Sequence, residues 1–200
     1  MISSLTAERL ACTRGDRKLF DGLSFRVSAG QALAVEGANG AGKTSLLRMI
    51  AGFLAPAAGR LVLKSAQGEI TDAEERGKTI GWLGHHDGLK PQLTVREQLD
   101  FFARLYGRQP DASALERVGL ARQAELPCRY LSAGQRRRLA LARLLVSERP
   151  LWLLDEPFAA LDTAGQGLIA QLMARHCGHG GIIIAATHDP LGLGNESLKL

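Results

Sequence analysis

Residues 32–52 read ALAVEGANGAGKTSLLRMIAG. Four apolar residues, Ala32 to Val35, run into a glycine-rich turn, and a helix-forming stretch from Thr44 to Ala51 follows and stops at Gly52. The turn matches G-x-x-x-x-G-K-[ST] through Gly37, Gly42, Lys43 and Thr44. Glycines let such a loop close tightly, so successive backbone N–H groups point inward as an anion nest. The helix behind it adds the positive end of its dipole. On this reading Gly37, Ala38, Asn39, Gly40, Ala41, Gly42, Lys43, Thr44 and Ser45 cradle the phosphates of a nucleotide. Lys43 reaches the β- and γ-phosphates and the Thr44 hydroxyl ligates Mg²⁺. An ordinary Gly-rich turn is the plainer alternative, but the buried strand before it and the apolar-faced helix after it supply the context the motif requires. ATP and Mg²⁺ are the expected cofactors.

Similar short apolar runs recur at Leu61–Leu63, Ile80–Leu83, Leu151–Leu154 and Ile182–Ala186. They do not alternate, as expected of parallel strands buried on both faces. Helices are expected between them. Val95–Tyr106 opens with Thr94 and Glu97 in capping-box spacing, and Ser132–Val146 with Ser132 and Gln135. The order of elements reads as α/β. Residues of about 87–130 carry no buried-strand run and read as a helical lobe inserted in a single domain of residues 1–200.

The stretch PLWLLDEPFAALD, Pro150 to Asp162, supplies a second half to the phosphate loop. An apolar strand ending in Asp155 delivers a carboxylate to Mg²⁺. Glu156, at the strand's tip, is placed to polarise a water in line with the γ-phosphate. Upstream, LSAGQRRRLALARLL puts Ser132 at a helix start, with Gly134 in the first turn, where small residues and free N–H groups make an anion site. Alone, that segment reads equally as a capped, basic surface helix.

Composition sets the outer limits. The 200 residues are 46% hydrophobic and 22% charged with a net charge of +5, which suits an ordinary globular chain with a mild preference for anionic partners. The charged N-terminus, MISSLTAERLACTRGDRK, has no apolar signal region, and the longest apolar runs are strand-length. Three widely spaced cysteines fit structural thiols in a reducing compartment. A cytosol-facing protein is expected, with any membrane role coming through a partner.

Taken together, the phosphate loop, LSAGQ, the Asp155–Glu156 pair, AALD (Ala159 to Asp162) and His188 in AATHDP resemble, in that order and over nearly the whole chain, the ATP-binding-cassette (ABC) ATPases. The resemblance implies a P-loop NTPase core with an N-terminal β-subdomain and an inserted helical subdomain. It implies a homodimer that sandwiches two ATP molecules head to tail. Lys43, Thr44, Asp155, Glu156 and His188 then act on the chain's own ATP, with Glu156 as general base and His188 orienting the γ-phosphate and water. Ser132, Gly134 and Gln135 contact the ATP of the other copy.

Two positions depart from that family's pattern. In WLGHHDG, Trp82 to Gly88, the family carries a glutamine that reaches Mg²⁺ and the attacking water, and His86 stands at its place, or His85 if the register slips by one. A neutral imidazole nitrogen can accept or ligate where an amide oxygen does. A zinc site at the two histidines lacks partner ligands nearby. The family's adenine-stacking aromatic corresponds to Arg14, whose guanidinium plane can stack instead. Phe20 reads as core. His176, Cys177 and His179 read as incidental neighbours rather than a metal or haem site, and Arg136–Arg138 as a solvated face or dimer rim rather than a nucleic-acid stripe.

Trp152 in the strand before Asp155, GGI before the last apolar run and the GH of the His85 loop are further similar to the ATPase subunits of bacterial haem exporters of cytochrome c maturation. That resemblance implies a peripheral subunit at the cytoplasmic face of the inner membrane, docked on integral membrane subunits, serving haem only indirectly and binding no nucleic acid. An ABC ATPase with another cargo is the alternative. A soluble ABC protein of ribosome or DNA fits less well, since it calls for two cassettes or long coiled-coil insertions. Leu89, Leu93, Phe101 and Phe102 are either lobe core or the face on which a membrane subunit docks.

Overall fold

The computed structural model describes residues 2–194 and 196–200. Strands β1 (Ile2–Arg14), β2 (Arg17–Ser28), β4 (Ala58–Ser65) and β5 (Gly68–Ile70) form an antiparallel sheet in the order β2-β1-β4-β5. A second sheet runs β6-β7-β8-β3-β9, built from β3 (Ala32–Glu36), β6 (Ile80–Leu83), β7 (Leu151–Asp155), β8 (Ile182–Ala186) and β9 (Glu196–Lys199). Its centre is parallel: Leu151 lies opposite Ile182, Asp155 opposite Ala186, and Ala32 opposite Ile183. Every residue of β7 and β8 is buried, which is why neither shows alternation.

Helix α1 (Lys43–Ile50) contributes Leu46, Leu47, Met49 and Ile50, all fully buried, to one core cluster. That cluster also holds Leu5, Leu10 and Leu63 of the antiparallel sheet and Leu33, Val35, Leu153 and Ile184 of the parallel one. The remaining helices are α2 (Ala73–Gly77), α3 (Val95–Leu105), α4 (Ser113–Arg117), α5 (Ala133–Ser147) and α6 (Thr163–Gly178). Both expected capping boxes are formed. Thr94 Oγ1 accepts from Glu97 N at 3.1 Å, and Ser132 Oγ from Gln135 N at 3.2 Å. None of these helices is long and apolar enough to cross a membrane.

The chain divides into two compact units. The first comprises Met1–Trp82, Arg149–Glu156 and Met173–Leu200; the second comprises Leu83–Glu148 and Pro157–Leu172. The helical stretch of about 87–130 falls in the second unit, which also takes in α5 and the first part of α6.

One feature of the first unit corrects an expectation. His176 is no incidental neighbour: its ring stacks on Trp152 with centroids 3.9 Å apart and planes 13° apart, and Nε2 lies 3.2 Å from the Pro150 carbonyl. A Cβ on Gly181 would overlap the ring, so glycine there makes room for it. Burial drives the His176 pKa down from 6.5 to about 4. A depressed folded-state pKa means that the unfolded chain binds the proton first. Stability is therefore complete above about pH 6.5 and lost as pH falls toward 4. By pH 5 the loss from this group is about 2 kcal/mol. Urea midpoints at pH 7.5 and pH 5 should show it, and His176→Phe, which keeps a flat ring on Trp152, should remove that part of the dependence.

Candidate functional site

The first unit gathers one constellation at the C-terminal end of its parallel strands. β3 leads through the phosphate loop into α1, whose N-cap is Gly42 at φ 113, with no side chain bonded to the cap among the described residues. The first N–H groups of the helix are thus left for a ligand. Only glycine suits position 42. Its φ is left-handed, and a Cβ would lie 3.2 Å from Leu19 Cβ and from the ring carbons of Phe20. Phe20 is half-buried and packs behind the loop as well as on the core.

Lys43 is only 8% exposed, and its ammonium donates to the Gly37 carbonyl at 2.7 Å. It lies 3.1 Å from His188 Nε2. An ammonium only donates, so that contact is a hydrogen bond in the tautomer that leaves Nε2 as acceptor, whereas Asn39 Oδ1 calls for an Nε2–H. The same Nε2 is 3.2 Å from Asn39 Oδ1 and 3.6 Å from Glu156 Oε1. The Thr44 hydroxyl lies 3.2 and 3.1 Å from the two oxygens of Asp155, which is 5% exposed at the end of β7. A hydroxyl and a buried carboxylate in contact are hard oxygen donors, the set that Mg²⁺ takes. Beyond Asp155 the backbone turns: Glu156 has φ 49 and its N–H donates to the Ala186 carbonyl at 2.8 Å. Pairing β7 with β8 is what brings Asp155 and Glu156 beside the segment carrying His188. A left-handed non-glycine residue at such a tip stores backbone strain where a side chain must be aimed.

In the second unit, Ser132 is exposed at the N-cap of α5, and the side chain of Gln135 is held by the capping box. Gly134 is required by close approach, since a Cβ there would lie 2.9 Å from the carbonyl oxygen of Ala160. Ala160 itself is left-handed, at φ 62, so the AALD turn folds onto the LSAGQ turn. Asp162 Oδ1 accepts from Gly165 N at 2.8 Å at the start of α6. His85 and His86 are exposed, their rings edge to face with centroids 5.4 Å apart.

Residues 37–45, Asp155, Glu156 and His188 thus converge in the first unit, and Ser132, Gly134 and Gln135 in the second, the unit that also carries His86. Arg14 sits exposed at the β1–β2 turn, opposite Arg17. Sequence reasoning missed the Ala160 carbonyl against Gly134 and the seat of Leu19 and Phe20 behind Gly42; neither has a local signal. It also misread Arg137. Far from a solvated face, Arg137 is 3% exposed and donates to the Gly84 carbonyl at 2.9 Å and Asp87 Oδ1 at 3.1 Å.

A nucleotide-binding loop between a buried strand and a helix, faced by a carboxylate pair and a histidine, defines a P-loop ATPase. The chain belongs to the ABC transporter family, whose sequence pattern matches residues 20–159. Among curated relatives it is 52% identical over 198 residues to the cytochrome c biogenesis ATP-binding export protein CcmA of Rhodopseudomonas palustris (strain BisB5), covering 98% of this chain and 97% of that one. To the protein of the same name from Rhizobium meliloti it is 47% identical over 203 residues, with the same coverage. A putative ABC transporter ATP-binding protein from Pyrococcus furiosus shares the fold, with a TM-score of 0.85 at 23% identity over 99% of this chain and 98% of that one. The protein cbiO1 from Clostridium perfringens, part of the ABC transporter complex cbiONQ, gives a TM-score of 0.78 at 28% identity over 94% and 80%. The chain is an ATP-hydrolysing ABC subunit, as the α/β reading with a cassette core anticipated.

Proposed function

We propose that this chain is the ATPase subunit that powers haem delivery for the maturation of c-type cytochromes, held at the cytoplasmic face of the inner membrane by integral membrane subunits. About half of its residues are identical to proteins named for cytochrome c biogenesis, over 98% of this chain and 97% of theirs. The observation that carries the mechanism is the convergence of Lys43, Glu156 and Asn39 on His188, beside the Thr44–Asp155 pair.

Lys43 holds negative charge on the β- and γ-phosphates, and residues 37–45 bind the phosphates through their backbone N–H groups. Thr44 and Asp155 would hold Mg²⁺, which would neutralise charge on the phosphate oxygens. Glu156 takes a proton from the attacking water, and His188, between Lys43 and Glu156, orients water and γ-phosphate. Ser132 and Gly134 complete the ATP site of a second copy, so the working form is a homodimer. Arg14 stacks on adenine in place of an aromatic. His86 takes the role of the family's glutamine toward Mg²⁺ and water. His86→Gln therefore keeps turnover within a few-fold of wild type in a steady-state ATPase assay; a tenfold loss would show that the imidazole itself is needed.

The test of the whole reading is haem staining of covalent c-type cytochromes in the native host carrying only Glu156→Gln protein. The cytochromes should vanish while other haem proteins persist. Wild-type levels would assign the transporter another cargo.

A further inference from the structure

Residues 84–90 form no helix or strand, yet His85 and His86 within them are held from both sides. One Arg137 nitrogen, Nη1, donates to the carbonyl of Gly84, just before the histidines, and to the carboxylate of Asp87, just after them. Arg143 adds a second tie, donating from Nη1 to the Asp87 backbone carbonyl at 3.2 Å while its guanidinium lies 5.0 Å from the Phe102 ring centroid. The loop's exit is fixed as well: Lys90 N donates to Oε1 of Gln98, which is 1% exposed on α3. Both arginines belong to α5, whose first turn carries Ser132 and Gly134. Burying a guanidinium is costly, and its best-attested return is fixed geometry rather than stability.

We infer that Arg137 is a positioning residue that makes the His85–His86 loop and the LSAGQ turn one mechanical piece. The inference rests on the reading that His86 serves the chain's own ATP and Ser132 that of the second copy. With both feet of the histidine loop on α5, a movement that brings Ser132 to one ATP carries His86 with it. Engagement of the two sites in the dimer is thereby coupled through α5, with Arg137 as the tie on both sides of the histidines. Arg137 acts through Gly84 and Asp87.

The test uses the full chain co-purified with its membrane subunits, in steady-state ATPase assays of Arg137→Gln, Asp87→Ala, His86→Ala and the double variants. Arg137→Gln should lower kcat by about tenfold or more, the scale of an ångström-sized misplacement. KM for ATP should stay within about twofold, because the phosphate loop is untouched. Asp87→Ala, at a position 23% exposed, removes the carboxylate half of that tie with less risk to folding and should show the same split with a smaller loss of kcat. Each should be non-additive with His86→Ala. A loss that is additive with His86→Ala, or one that moves KM and melting temperature together without a kcat effect, makes Arg137 merely structural and overturns the inference. If His86→Ala alone leaves kcat unchanged, the reading of His86 fails first, and the inference with it.

Discussion

Glu156→Gln binds ATP as the wild type does and turns it over at least ~100-fold more slowly, the scale of a lost general base. The substitution keeps the shape of the side chain and the left-handed tip at φ 49, so the aim of residue 156 toward His188 is preserved. What disappears is the capacity to take a proton. On the proposed homodimer, in which Ser132 and Gly134 serve the ATP of a second copy, ATP that is bound and not cleaved should hold two copies together. Size-exclusion chromatography with ATP and Mg²⁺ should then show a dimer that wild-type protein forms only transiently. Rapid turnover by this variant would remove Glu156 as the base and leave His188 as the residue to examine.

Lys43→Met separates binding from chemistry in the opposite sense. Lys43 is nearly buried, and its ammonium is set between the Gly37 carbonyl and His188. Methionine keeps the apolar stem and drops the charge. A charge-assisted hydrogen bond to phosphate is worth about 1.5–3 kcal/mol, so ATP affinity measured with a fluorescent analogue should weaken by roughly 10- to 150-fold. No ATP-dependent dimer should form. An affinity close to wild type would mean that the backbone nest alone holds the phosphates, and that Lys43 serves only the cleavage step.

The two variants differ in how readily they could be foreseen. Lys43 belongs to a loop in which every functional atom lies within nine residues, so the motif and its setting between strand and helix were readable directly. Glu156 was readable only as an acidic residue ending an apolar run, and its aim depends on the pairing of β7 with β8. The capping boxes at Thr94 and Ser132 were legible because each needs only four consecutive residues. Strand β9 was not, since its sequence ESLK is largely exposed at a sheet edge and presents no apolar run. The long strands β1 and β2 are interrupted by register shifts, which break the alternation that would announce them.

Charge and aromatic residues mark where local reading ends. Arg136–Arg138 looks like one basic patch, yet Arg137 is buried on Gly84 and Asp87 some fifty residues away in the chain. His176 read as an incidental neighbour, but β7 supplies the Trp152 face on which it stacks, and Gly181 leaves it room. The amino-acid sequence by itself determined the α/β class, the phosphate loop and the helix starts, because periodicity, caps and motif spacing are properties of neighbours along the chain. Only the tertiary structure decided which charges are buried, which carbonyl closes on Gly134 and which side chain carries the His85–His86 loop. Those outcomes depend on surfaces brought together from distant segments, where the cost of burying a polar group is met or left unmet.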